Sequence, residues 1–157
     1  MSKAKWIGGI AALTLALQMG GTTMAPAQDA GSPAAAIEKR QAAMKKVGGA
    51  SRTINGMVRG TAPYDGAAAA EAFRTMNEVA KVYGGYFPQG SESGGDTEAL
   101  PAIWENKADF EAKLAKFASD TAAAAAAATQ GEDAFKAAAR QVGENCGSCH
   151  KAYRAPS

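Results

Sequence analysis

The chain holds two cysteines and one histidine, and all three fall in one pentapeptide, Cys146-Gly147-Ser148-Cys149-His150. Two thiols at this spacing, followed at once by an imidazole, form the attachment signature of a c-type haem. Each thiol adds across one vinyl group of a porphyrin to give a thioether, and the adjacent imidazole reaches the iron from the same side. On a helix, Cys146 and Cys149 are i,i+3 and Cys146 and His150 are i,i+4, so the three groups share one face. Other chemistries fit these residues poorly. A disulfide within a helix has unfavourable geometry, and a thioredoxin-type redox pair needs a βαβ setting. A zinc site needs about four ligands, more than this chain's cysteines and histidine supply.

The opposite face of the iron can be approached by elimination. His150 is the only histidine, so a second imidazole from the same chain is excluded. Methionine sulfur, an amine, an exogenous ligand or nothing remains. Beyond the leader described below, the methionines are Met44, Met57 and Met76. Met57 lies about 20 Å beyond Met44 along a straight helix, so both cannot face one iron. Spacing alone leaves Met44 open between ligand and ordinary core filler. Arg40, one turn before Met44, is placed either to pair with a haem propionate or on a solvated helix face.

These groups must be carried by a fold, and the chain begins with a segment that does not belong to it. Lys3 and Lys5 precede an apolar run from Trp6 to Met19, and Ala25-Pro26-Ala27 is an A-x-A-type cleavage site. This pattern predicts a secretory signal peptide over residues 1–27, with periplasmic export in a bacterial-type cell. The run is short of the ~20 residues that span a bilayer. Residues 28–157 are expected to form one domain. Removing both leader lysines leaves basic and acidic residues in balance at 15 each. A near-neutral chain gives no support to nucleic-acid binding. Both cysteines are used by the haem motif, so none is left for a structural disulfide.

Along the mature chain the apolar period is helical throughout, with no alternation of period two. Ser32 and Pro33 start a first helix running to about Arg59, with Ile37, Met44, Val47, Ile54 and Val58 on its apolar face. Gly48 and Gly49 within it mark a kink or clearance for a close neighbour. Gly60–Gly66 is a turn, and a second helix spans about Ala67–Tyr83, ended by Gly84 and Gly85. A long link, 84–101, is expected to cross an end of the bundle, pinned by Tyr86 and Phe87. A third helix is expected from about Glu105 to Thr129 and a fourth from about Glu132 to Arg154. In the fourth, Phe135, Ala139, Val142, Cys146, Cys149 and Tyr153 follow steps of four and three, which places the haem inside the core. The fold class predicted is all-α, an antiparallel four-helix bundle with covalently bound haem.

A C-terminal C-x-x-C-H on the last of four helices resembles the class II c-type cytochromes, the cytochrome c′ family and its low-spin relatives. The resemblance covers essentially the whole mature chain. It is carried by R-Q-A-A-M at 40–44, G-T-A-P-Y-D at 60–65, F-P-Q-G-S at 87–91, I-W at 103–104 and C-G-S-C-H-K-A-Y-R at 146–154. It implies one covalent haem c, with Cys146 and Cys149 as thioethers and His150 as the proximal iron ligand. It further implies Met44 at the distal position, Arg40 toward a propionate and Arg154 in the proximal pocket. The family divides at the distal position. A methionine there closes the iron and the protein carries electrons to transient redox partners, without transforming a substrate. A bulky apolar residue leaves the iron five-coordinate and open to nitric oxide or carbon monoxide. Met44, F-P-Q-G-S and T-E-A-L-P-A-I-W look more like the low-spin branch, and some five-coordinate members also carry Met there. The resemblance also leaves a homodimer through the first two helices open.

Overall fold

Two of the long helices start where a side chain satisfies free N–H groups of the first turn. The structure, a computed structural model, describes residues 31–156, and the expected leader lies outside them. The helices are α1 (Pro33–Val58), α2 (Gly66–Tyr83), a single turn α3 (Ala102–Glu105), α4 (Lys107–Ala127) and α5 (Glu132–Tyr153). Ser32 Oγ accepts from the Ala35 amide at 3.2 Å, with Pro33 in the first turn. Asp65 accepts from the amides of Ala67 and Ala68 at 2.9 and 3.0 Å. Each such cap is worth about 1 kcal/mol.

One local expectation is corrected, that for Val58. α2 ends at Tyr83, ahead of Gly84 and Gly85, as expected. Gly84 has φ −57°, and the chain tightens into a 3₁₀ turn over Gly84–Tyr86. The third long helix covers Lys107–Ala127, close to the expected span, and Ile103 and Trp104 lie in a separate turn before it. Asn106, at φ −122° and ψ 47°, separates α3 from α4. Val58 is exposed, while its neighbour Met57 turns inward and is buried. α1 runs through Gly48 and Gly49 as one helix.

α1, α2, α4 and α5 form the four-helix bundle. α2 packs chiefly on α1 and α4, and α4 on α5, while α1 and α5 barely meet. Two apolar clusters result. The larger holds Val47, Ile54, Met57, Phe73, Met76, Phe135 and Val142 among many alanines. The smaller is aromatic and lies where the long link crosses: Phe87, Ile103, Phe110 and Tyr153, with Trp104 and Leu114 beside them. In it, ring centroids of Phe87 and Phe110 are 4.9 Å apart and those of Phe110 and Tyr153 5.3 Å, both edge-to-face. That geometry suits the aromatic quadrupole.

The turn between α1 and α2 is fastened to the end of α4. Tyr64 donates to the Ala128 carbonyl at 2.6 Å. A Cβ at Gly66 would lie 2.7 Å from that carbonyl oxygen and 2.9 Å from the Tyr64 hydroxyl. The clash exceeds what alanine's better helix propensity returns. Gly66→Ala is therefore expected to destabilise by about 1–2 kcal/mol and lower the thermal midpoint by several degrees, read by circular dichroism.

Candidate functional site

α1 and α5 are held apart by a cavity of about 640 Å³, within the ~300–1,000 Å³ of cofactor pockets. Its walls come from every main part of the fold. α1 contributes Arg40, Met44, Val47, Gly48 and Ser51, α2 Tyr83, and α4 Phe110, Leu114 and Phe117. The link supplies Phe87 and residues 96–99, and α5 supplies Asn145, Cys146, Cys149, His150, Tyr153 and Arg154. All six residues singled out in the sequence therefore meet at one cavity. Met57 and Met76 do not line it; they lie in the larger apolar cluster, 6% and 2% exposed.

On α5 the expected stripe is present, with Phe135, Val142 and Tyr153 buried and the two cysteines half-buried. Burial pushes both thiols up, so they stand as neutral S–H groups. His150 is held below the usual imidazole range, by desolvation first and then by the Arg154 charge, which keeps the ring neutral and its lone pair available. Asn145 anchors the turn before the motif. Its amide donates to Asp120 at 2.7 Å and to the Gln141 carbonyl at 3.1 Å. At the other end Arg154 pairs with Glu98 at 2.7 Å, the Leu100 amide donates to the Tyr153 carbonyl, and the Ala155 amide donates to that of Glu98. The long link is thus tied to α5 immediately beyond His150.

Arg40 is not on a solvated face. It is 2% exposed, and no carboxylate among the described residues pairs with it. Its guanidinium donates to Ser91 Oγ at 3.0 Å, the Ser91 carbonyl at 2.7 Å, Thr97 Oγ1 at 2.6 Å and the Tyr86 carbonyl at 3.4 Å. It also stacks over Phe87 and Trp104, 5.1 and 5.7 Å from the ring centroids. Arg40 therefore latches the link to α1 while lining the cavity. Ser91, Thr97, Glu98 and Asn145 were not picked out from the sequence. A basic residue flanked by Ala36, Ile37 and Ala43 on a buried face was the available signal for a buried arginine.

A family model described as Cytochrome C′ matches residues 35–154. The chain belongs to the cytochrome c′ family. It is 39% identical over 118 residues to cytochrome c-556 of Agrobacterium fabrum, covering 75% of this chain and 80% of that one. It is 40% identical over 123 residues to cytochrome c′ of Rhodopseudomonas palustris, covering 76% and 81%. Cytochrome c prime from Shewanella frigidimarina has a matching fold, with TM-score 0.75, 35% identity and 80% and 98% coverage. Cytochromes c′ bind a single covalent c-type haem, and this is a haem protein of that kind. The cavity fits the group. It presents two thiols one turn apart, a neutral imidazole beside them, a thioether on the facing helix and otherwise apolar and aromatic walls.

Two outcomes are expected of a cytochrome c′ built this way. Arg40→Ala strands the Ser91 and Tyr86 carbonyls and should cost about 2–4 kcal/mol, with new proteolytic cleavage inside 88–97. Arg40→Lys keeps the charge but loses the planar fork, and should recover less than half of that in denaturant titration. The second concerns Tyr153, which donates to Asp109 at 2.5 Å and whose pKa that bond pushes up to about 12. Folding raises this pKa, so its stabilisation is complete below about pH 10 and is lost as pH rises through about 12. Asp109→Asn should move the Tyr153 tyrosinate absorbance step down toward the ordinary tyrosine range.

Proposed function

We propose that this cytochrome c′ family protein is an exported carrier of single electrons. Its haem is attached through Cys146 and Cys149, with His150 as proximal ligand and Met44 as distal ligand. When bound, the haem supplies the one-electron Fe(III)/Fe(II) couple. The observation that carries the reading is the sorting of the methionines: Met44 lines the cavity with the cysteines and His150, while Met57 and Met76 are core residues. A thioether ligand favours the ferrous state and raises the potential, and apolar walls act in the same direction by disfavouring the extra ferric charge. Arg40 offers positive charge to a propionate from the wall it shares with the link. Arg154 stands beside His150 and adds to the field that keeps that imidazole neutral.

No substrate is transformed in this role, and partners are transient redox proteins. Residues 1–27 serve as the export signal to the periplasm, leaving residues 28–157 as the working domain. No helix among the described residues is long and apolar enough to cross a membrane. A dimer with ligand-controlled dissociation is described for one solved cytochrome c′.

The spectrum of the reduced holoprotein tests the ligand set. Sharp, split low-spin bands and no prompt carbon monoxide binding are expected. Met44→Ala should convert them to broad high-spin bands with rapid carbon monoxide uptake. High-spin bands in the unaltered protein, or no effect of the substitution, would replace this reading with that of an open site for nitric oxide or carbon monoxide. The mature protein should also gain the mass of one haem, and Cys149→Ser should weaken its retention under acid–acetone extraction.

A further inference from the structure

Charge is distributed unevenly over the helices. α4 carries Lys107, Lys113 and Lys116 against Asp109, Glu111 and Asp120, and each lysine is in an ion pair one turn away. α2 and α5 are likewise mixed, with Arg74 paired to Glu71 and Lys136 to Glu132. α1 differs. After its single acid, Glu38, it carries Lys39, Arg40, Lys45, Lys46 and Arg52, with Arg59 as its C-cap. Lys45, Lys46, Arg52 and Arg59 are exposed and make no ion pair among the described residues.

Two of these cations do not line the haem cavity themselves but follow its α1 wall around the helix. At 100° per residue, Gln41 and Gly48 lie roughly 40–60° around α1 from Met44, and Lys45 and Arg52 follow at roughly 80–100° on the same side. Gln41, Met44 and Gly48 line the cavity. Arg52 leans back over this edge, its Nη1 3.8 Å from where a Gly48 Cβ would lie and its Nη2 3.8 Å from the same point at Gly49. The two glycines keep the rim low beneath that guanidinium. The other charges of the cavity wall largely cancel: Glu98 pairs with Arg154 and Lys113 with Asp109, leaving Asp96 and the buried Arg40, which are of opposite sign.

We propose that Lys45 and Arg52 form a cationic docking rim for an acidic redox protein, set on the α1 side of the haem cavity. The proposal rests on the electron-carrier reading and names the kind of partner that reading requires. The mature chain is balanced in charge, so the attraction is local: it orients a partner toward the cavity without drawing it to the whole surface. The rim fits a protein better than a membrane surface. The exposed side of α1 offers no bulky apolar residue before Val58, so it has nothing to insert between lipids.

The test uses the reduced holoprotein and two small oxidants of opposite charge, hexacyanoferrate(III) and tris(phenanthroline)cobalt(III). The anionic oxidant should react faster as salt is lowered. Lys45→Glu/Arg52→Glu should slow it about tenfold at low ionic strength and speed the cationic one, with convergence near 0.5 M salt. Lys81→Glu/Arg140→Glu changes net charge equally away from the cavity and should leave the ratio of the two rates near that of the unaltered protein. An equal response of both double variants, or rates indifferent to salt, would overturn the rim. So would rim-dependent co-sedimentation with phosphatidylglycerol vesicles without bias between the oxidants, which would make the rim a lipid contact. A holoprotein that exchanges electrons with neither oxidant would instead overturn the carrier reading. The Met44 assignment is read separately, from the spectrum.

Discussion

One buried guanidinium closes the structure around its cavity. Arg40 sits in the apolar face of α1 without a carboxylate partner among the described residues, a position that carries a large desolvation cost unless its donors are satisfied. Carbonyls and hydroxyls of the long link, at Tyr86, Ser91 and Thr97, satisfy them, and Phe87 and Trp104 cover the planar faces. The link cannot leave without stranding that charge. Because it is also bonded to Tyr153, Arg154 and Ala155, it joins the helix that carries Met44 to the helix that carries His150.

The rest of the bundle is arranged around space. Alanine-rich helices pack closely where α2 meets α1 and α4, but α1 and α5 stay apart. In a cofactor-free bundle such a gap would be a cost in lost contacts. Here the gap is walled by the groups that would hold a haem, and the aromatic cluster of Phe87, Phe110 and Tyr153 stiffens the end nearest Cys149. The two facing walls offer different groups: thiols and an imidazole from α5, a thioether from α1.

Much of this was legible in the linear sequence because helical period and capping are local. Ser32-Pro33 marks a helix start through contacts within one turn, and the steps of four and three from Phe135 to Tyr153 define the inward face of α5. The one local failure has an equally local cause. At the end of α1, adjacent apolar residues differ by about 100° of rotation, and Met57 rather than Val58 faced the core.

By itself, the sequence determined the cofactor and the architecture, since covalent haem attachment needs only five contiguous residues and a bundle needs only helical periodicity. Spacing alone left Met44 open between ligand and core filler, and packing placed it on the cavity wall with His150 while sending Met57 and Met76 into the core. The tertiary structure also decided what Arg40 does. The partners of a buried guanidinium lie some fifty residues away in a link without periodicity, and no local rule pairs them. The same holds for the cavity itself, whose facing walls are α1 and α5, helices that are distant in the chain and that the fold brings face to face without letting them touch closely.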